Sequence, residues 1–141
     1  MRMLMIHVDA FRSELTEKGR SKLIEEPIER VVAVEEAIVI LTAVEKSDES
    51  NPTLVVQRAA QEIETIARQL KVSTLVVHSF AHLFAELANP TVAVDVLKEL
   101  ASTLAARGFT TYRSPFGWFN TLEIKAKGHP LSRIARTIPA S

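Results

Sequence analysis

Three stretches of the chain are apolar at nearly every position, and two others are apolar at every third or fourth, so strands and helices separate on inspection. The first continuous run, Met1 to Val8, carries His7 near its end and stops at Asp9, which predicts a buried strand. Ala10 to Glu36 is charge-rich and weakly patterned, punctuated by Gly19 and Pro27. It predicts a short strand near Phe11 to Leu15 and then irregular chain. Ala37 to Val44 is β-branched and almost wholly apolar, as a central strand covered on both faces requires, and Glu45-Lys46 ends it. Thr74 to His78 is a third core strand of the same kind.

The two periodic stretches both open on Asn-Pro. Asn51 and Asn89 are N-cap residues, and Pro52 and Pro90 occupy the first helical position, where a missing N–H is harmless. In the first, Val55, Ala59, Ile63, Ile66 and Leu70 make one apolar stripe, with Arg58, Glu62, Glu64 and Arg68 elsewhere on the helix. The second presents Val94, Leu97, Ala101 and Leu104 and stops at Arg107-Gly108. Beyond it, Phe109 to Arg113 and Trp118 to Ala126 read as strands, the latter alternating Trp118, Asn120, Leu122 and Ile124 against Phe119, Thr121, Glu123 and Lys125. The tail from Lys127 is short. Strands and helices in this order predict an α/β fold, a single-domain sandwich of mixed β-sheet with two main α-helices.

Composition narrows the chemistry. With 141 residues, 47% of them apolar, the chain is long enough for one domain with a real core and too short for two ordinary domains. Cysteine is absent, which excludes a disulfide framework, a thiolate metal site and a cysteine nucleophile. No apolar stretch approaches the roughly 20 residues that span a bilayer, and Met1 to Ile6 runs into His7 and Asp9 without a cleavage pattern. A cytoplasmic protein with no membrane partner is the expectation. Four glycines form no phosphate-binding loop, and neither a His-Glu-x-x-His helix nor a Gly-x-Ser-x-Gly elbow is present.

Net charge is zero, 17 basic against 17 acidic residues, but the balance is uneven. Six of the basic residues lie after Ala106 and face only Glu123, so the last 35 residues carry +5 and the remainder −5. That basic quarter could meet a polyanion.

Polar and aromatic residues gather at three strand ends: His78-Ser-Phe-Ala-His82, Ser114-Pro-Phe-Gly-Trp-Phe-Asn120 and Lys127-Gly-His-Pro130. His78 and His82 are spaced for zinc on a helix. The residues before His78 read as strand, however, and only His129 or Glu86 offers a third ligand, so neither a metal nor another cofactor is expected. His82 has the stronger claim to function, because Ser79 to Ala88 must leave the sheet edge before Pro90 and such loops line clefts; His78 reads as structural. Pro115-Phe116-Gly117 is a turn whose glycine permits a left-handed backbone or the close approach of a ligand. Trp118 and Phe119 face opposite ways on a regular strand, one toward a core and the other free to stack on a ring. Lys125 and Lys127 share a face, either as solvated charge or as phosphate contacts. Glu45 and Lys46 are an exposed pair or the frame of a pocket.

Taken in order and spacing, Met1 to Asp9, Val44-Glu45-Lys46, Asn51-Pro52, Phe80-Ala81-His82-Leu83, Pro115-Phe116-Gly117, Lys127-Gly128-His129-Pro130-Leu131 and Arg136-Thr137-Ile138 resemble the N-terminal editing domain of archaeal threonyl-tRNA synthetases over essentially the whole chain. The resemblance implies a D-aminoacyl-tRNA deacylase-like fold, usually a homodimer, with residues 1–141 forming the editing domain of a longer synthetase or of a paired trans-editing protein. It implies hydrolysis of L-serine wrongly esterified to threonine tRNA, at the 3′-aminoacylated end, with the terminal 2′-hydroxyl helping a water attack the ester. It places Phe80, Ala81 and His82 in the pocket motif, Val44 and Glu45 at its strand-end wall, and Trp118, Phe119 and Asn120 in the aromatic segment after Pro-Phe-Gly; Lys46, Phe116 and Gly117 beside them are further candidates for substrate binding. His82 and Asn120 are then the expected catalytic side chains, and Lys125 is a nearby charge. At Phe119 the family often has tyrosine, at Asn120 lysine and at Arg133 an acidic residue, so a mechanism needing that lysine or carboxylate does not carry over. Two further readings keep the fold: a D-aminoacyl-tRNA deacylase, and a non-catalytic module binding tRNA or an aminoacyl-adenosine.

Overall fold

The computed structural model describes residues 1–83 and 85–141. Its spine is one 17-residue strand, β1 (Arg2–Lys18). The two strands expected before and after Asp9 are thus a single element. Up to His7 the odd residues Met3 and Met5 pack toward one core; a bulge between Val8 and Ala10 then reverses the alternation, so that even-numbered Val8 and odd-numbered Phe11 share the other core. One extra residue in a strand has this effect, and it also deepens the local twist. The sequence pattern weakens there because its period-two parity flips.

β2 (Val31–Val34) and β3 (Ala37–Ala43) pair antiparallel with β1 in one continuous register, Phe11 opposite Val34 and Val8 opposite Ala37. β2 lies in the stretch expected to be irregular; four residues between charged flanks are too few to show a period. β3 then leads through a short 3₁₀ turn (Lys46–Ser50) into α1 (Pro52–Leu70). β4 (Thr74–Ser79) pairs parallel with β3, and α2 (Pro90–Ala106) connects it to the parallel edge strand β5 (Thr110–Arg113). Parallel neighbours need such crossovers, and the helices supply them.

Both helices start as the Asn-Pro pairs predict. Asn51 Oδ1 accepts the Leu54 N–H at 3.2 Å and Asn89 Oδ1 accepts the Thr91 N–H at 3.0 Å, each cap contributing about 1 kcal/mol. Val55, Ala59 and Ile63 of α1 and Val96, Leu97, Leu100 and Leu104 of α2 bury against Met3, Met5, Ile38, Ile40, Leu75 and Val77. The opposite face of the sheet is covered by the far half of β1, whose Phe11 packs with Val39, Leu41 and Val76.

The stretch expected as one strand over Trp118–Ala126 is two, β6 (Trp118–Asn120) and β7 (Glu123–Ala126), interrupted at residues 121–122. β8 (Arg133–Thr137) lies in the supposed tail and pairs with the start of β1, Arg2 opposite Thr137. The result is a mixed α/β sheet with two helices. None of its described helices is long and apolar enough to cross a membrane.

Candidate functional site

The carboxyl ends of β3 and β4 and the start of β6 surround a cavity of about 520 Å³. Where parallel strands end beside the loops that follow them, a crevice is a natural consequence of the topology. Its floor is buried and chiefly apolar: Thr42, Ala43 and Val44 from β3 and its end, His78 from β4, and Ala93 and Leu97 from α2. Its rim is exposed and aromatic or aliphatic, with Phe119 52% and Leu87 49% accessible.

One wall is Ser79 to His82. The Phe80 N–H donates to the Thr42 carbonyl at 2.8 Å, extending the β3–β4 pairing by one residue before the chain turns away. Phe80 and His82 then meet edge to face at 5.2 Å, which leaves the exposed imidazole at the mouth. The lip beyond it is held by Val44 to Lys46. Lys46 N–H donates to the Glu86 carbonyl at 2.8 Å, and Ala88 N–H to the Val44 carbonyl at 3.0 Å. Val44 therefore lines the cavity, whereas Glu45 and Lys46 frame it from behind: Glu45 reaches the Met1 ammonium at 3.2 Å and Arg2 at 3.4 Å, and Lys46 faces Glu86 at 3.7 Å.

The facing wall is the Phe116–Asn120 segment. Glu25 organises it: its carboxylate takes two hydrogen bonds from Arg113, at 2.6 and 2.7 Å, and one from the Phe116 N–H at 2.8 Å, while its carbonyl accepts the Trp118 indole N–H at 2.8 Å. The Arg113 guanidinium and the Phe116 amide outweigh burial and hold the Glu25 carboxyl below its usual range. Trp118 is thereby pinned and half-buried, and Phe119 is left open; both line the cavity, as does Asn120.

Gly117 has φ +91°, and a Cβ there would lie 2.7 Å from the Leu23 carbonyl oxygen. Gly117→Ala is accordingly expected to destabilise the domain by roughly 2 kcal/mol, through left-handed backbone strain and displacement of the Leu23–Ile24 backbone. A urea midpoint indistinguishable from wild type would contradict this.

His78, read as structural, is 2% exposed, packs edge-on against Phe11 at 5.9 Å and places Nδ1 2.5 Å from Ser114 Oγ. Burial pushes its pKa down to about 4, so the ring is neutral at pH 7. It also forms part of the cavity floor. Of the expected site residues, Val44, Phe80, Ala81, His82, Phe116, Gly117, Trp118, Phe119 and Asn120 converge here, whereas Lys125 sits in a separate depression beside Arg12 and Glu123. Arg133 also lies outside, its guanidinium 3.5 Å from the Lys127 carbonyl.

The Lys127-Gly-His-Pro turn is likewise outside the cavity and structural. Lys127 Nζ contacts Asp9 at 2.5 Å and Glu36 at 3.1 Å, and His129 Nε2 lies 2.8 Å from His7 Nδ1. Among the described residues no cluster of histidine and acidic side chains is placed to hold a metal ion.

Sequence reasoning missed Gly19, Arg20 and Ser21, which the end of β1 carries to the rim. A glycine set in an otherwise charged strand end was the available signal.

The arrangement has relatives. A family model described as the archaea-specific editing domain of threonyl-tRNA synthetase matches residues 1–138. The chain is 43% identical over 140 residues to a threonine–tRNA ligase of Methanocaldococcus jannaschii and 41% identical over 138 residues to that of Methanopyrus kandleri. These alignments cover 99% and 98% of this chain but 22% of either ligase, so the chain spans about a fifth of the length of those relatives. A solved structure, the c-Myc DNA unwinding element binding protein, superposes with a TM-score of 0.67 over 99% of this chain and 100% of that one, at 15% identity, and shows a common fold. The matched model and the two ligases together settle the family: this chain belongs to the archaea-specific editing domains of threonyl-tRNA synthetase.

Proposed function

We propose that the domain hydrolyses L-serine mis-esterified to tRNA(Thr) and spares L-threonyl-tRNA(Thr). The observation that carries this reading is the convergence of the Phe80-Ala81-His82 loop, Val44 and the Phe116–Asn120 segment on one cleft with an apolar floor. Serine lacks one methyl of threonine, a difference worth only ~1–3 kcal/mol in a binding pocket, so a second site that excludes the larger residue by bulk is what accurate aminoacylation needs. Thr42, Val44 and Leu97 are buried and closely packed, and a floor of that kind penalises an added methyl.

No carboxylate lines the cleft among the described residues. Activation of water therefore falls to the substrate's own 2′-hydroxyl, with His82 and Asn120 and the backbone groups of residues 80–82 orienting the ester and the attacking water. Water adds to the ester carbonyl, the ribose oxygen leaves with a proton, and free serine and uncharged tRNA result. The rest of a synthetase, in cis or in trans, would hold the body of the tRNA.

The test is deacylation of seryl- and threonyl-tRNA(Thr) side by side, with D-seryl-tRNA as a third substrate. Selective loss of L-serine is expected; equal rates on serine and threonine, or preference for the D-ester, would overturn the reading. Binding of a non-hydrolysable seryl-adenosine without turnover of the ester would instead make the domain a binding module, a reading favoured by the unusual Phe119 and Asn120. His82→Ala is expected to lower kcat/KM on seryl-tRNA roughly 100-fold. Its side chain is exposed, so the unfolding free energy should change by less than about 0.5 kcal/mol.

A further inference from the structure

Of the described side chains lining the cleft, Arg20 alone carries a permanent charge. It is exposed, and it makes no ion pair with any described residue. This sets it apart from most arginines of the chain: Arg2, Arg12, Arg68, Arg107, Arg113 and Arg136 are each bonded to a carboxylate. An unpaired guanidinium on an otherwise uncharged cavity wall is available to an anion.

Its place is fixed by backbone, not by its own side chain. Gly19 N–H donates to the Gly117 carbonyl at 2.7 Å, and a Cβ on Gly19 would come within 2.6 Å of that same oxygen. The two loops touch where only glycine fits, which sets Arg20 beside Phe116 to Trp118. Two more cations flank the same wall: the Arg30 guanidinium lies 5.3 Å from the centre of the Trp118 ring and Lys18 Nζ 6.0 Å from it. Glu25, the acidic residue that holds this wall together, is occupied by Arg113. Across the mouth the lip has no such excess, since Lys46 faces Glu86 and Arg2 faces Glu45.

The permanent charge among the described lining residues therefore lies on the Phe116–Trp118 side of the mouth. An aminoacylated nucleoside at the end of an RNA chain is joined to the preceding nucleotide by a phosphodiester, and an anion cannot follow the ester onto an apolar floor without a large desolvation cost. It has to stay at the rim.

We propose that Arg20, supported by Lys18 and Arg30 around Trp118, binds the phosphodiester of the single-stranded RNA terminus and so sets the side from which the chain enters the cleft. The proposal rests on the reading of the cleft as a site for an aminoacylated RNA end. Arg20 makes a charge-assisted contact to phosphate oxygen, and the Lys18 and Arg30 charges hold the approaching strand on the β6 side.

Two measurements on the intact domain separate the proposal from that reading. In the first, Arg20→Gln is assayed on seryl-tRNA(Thr) and on 3′-O-seryl-adenosine, which has no phosphate. The ratio of the two kcat/KM values is expected to move about tenfold against the tRNA, chiefly through KM, and Arg20→Lys should recover most of it. Equal losses on both substrates would overturn the proposal, because Arg20 would then be serving the cleft itself. In the second, a CCA trinucleotide with a 3′-serylamino end is titrated at salt concentrations from 50 to 200 mM, beside the corresponding serylamino-adenosine. The slope of log K against log salt for the trinucleotide should fall by about 0.7 in Arg20→Gln, the value for one single-strand phosphate. An unchanged slope would overturn the proposal. If wild-type domain hydrolyses neither ester, ester hydrolysis is refuted, while the trinucleotide titration still decides the role of Arg20.

Discussion

Asp48→Ala is expected to cost roughly 3–5 kcal/mol of folding stability, the range measured when one member of a buried ion pair is removed. Asp48 and Met1 are both inaccessible, with the ammonium 2.7 Å from Asp48 Oδ1. The same ammonium donates to the Ile138 carbonyl at 2.9 Å, and Asp48 Oδ2 accepts the Glu45 N–H at 2.7 Å. One carboxylate thus ties together the first residue of the spine, the end of β3 and the segment following β8. Deleting it leaves a buried cation with Glu45, at 3.2 Å, as its one acidic partner among the described residues, and strips an amide of its acceptor. For a domain of this size the thermal midpoint should fall by on the order of 10 °C. Asp48→Asn keeps the shape and one acceptor and should lose less. A loss below about 1 kcal/mol for the alanine variant would show that water replaces the carboxylate. Because Glu45 and Lys46 brace the Leu87 lip, the variant should also weaken whatever the cleft binds.

A second large effect is expected from acid. The pKa of His78 is about 4 in the folded chain, because burial disfavours the charged ring, against about 6.5 when unfolded. Between those values the unfolded chain takes up a proton that the folded one refuses. The stability contribution is fully present above about pH 6.5 and is lost as pH falls toward 4, in total about 3 kcal/mol. Burial lowers the pKa of His7 as well, in the same sense and smaller in size. The carboxylates lowered by their partners, Asp9, Glu25 and Glu36, lose their contributions only below about pH 5, as they approach ordinary carboxylate values. Urea unfolding at pH 7, 6 and 5 should therefore show a decline that His78→Gln largely removes. A decline of the same slope in that variant would assign the proton to another group.

The parts of the fold that were legible share a physical cause. α1 and α2 are long and buried along one face, which imposes their periodicity, while β3 and the middle of β4 are covered on both faces, which imposes their β-branched runs. β2 and β8 are short, and most of their residues are exposed or half-exposed, so pairing with β1 defines them more than their own composition does. The β1 bulge hid a single strand as two. In the cleft, residues 80–82 and 116–120 stood out through loop aromatics and a Pro-Phe-Gly turn. Arg20 did not, because its significance comes from the contact of Gly19 with Gly117, 98 residues apart in the chain. Lys125 is expected as a nearby charge but lies beyond the break at residues 121–122, beside Arg12 and Glu123. His78 reads as structural from its strand, and its burial and contact with Ser114 agree with that, while its place in the cavity floor is not revealed by strand position.

The 17-residue spine bears on how the chain acquires its structure. β1 pairs with five other strands, and one of these is β8, whose Thr137 lies opposite Arg2. Within the domain β1 is therefore made before β8, a partner far along the chain, and Met3 and Met5 lack their cover from Ile134 and Ile138 until that strand has been made. Closure of so long a loop precedes the contacts that reward it, which makes folding slow relative to a helical domain of equal length. During that delay the exposed edge of β1 is the segment most open to pairing with another chain, and crowding or a missing C-terminal strand would be felt first as aggregation and only later as lost activity.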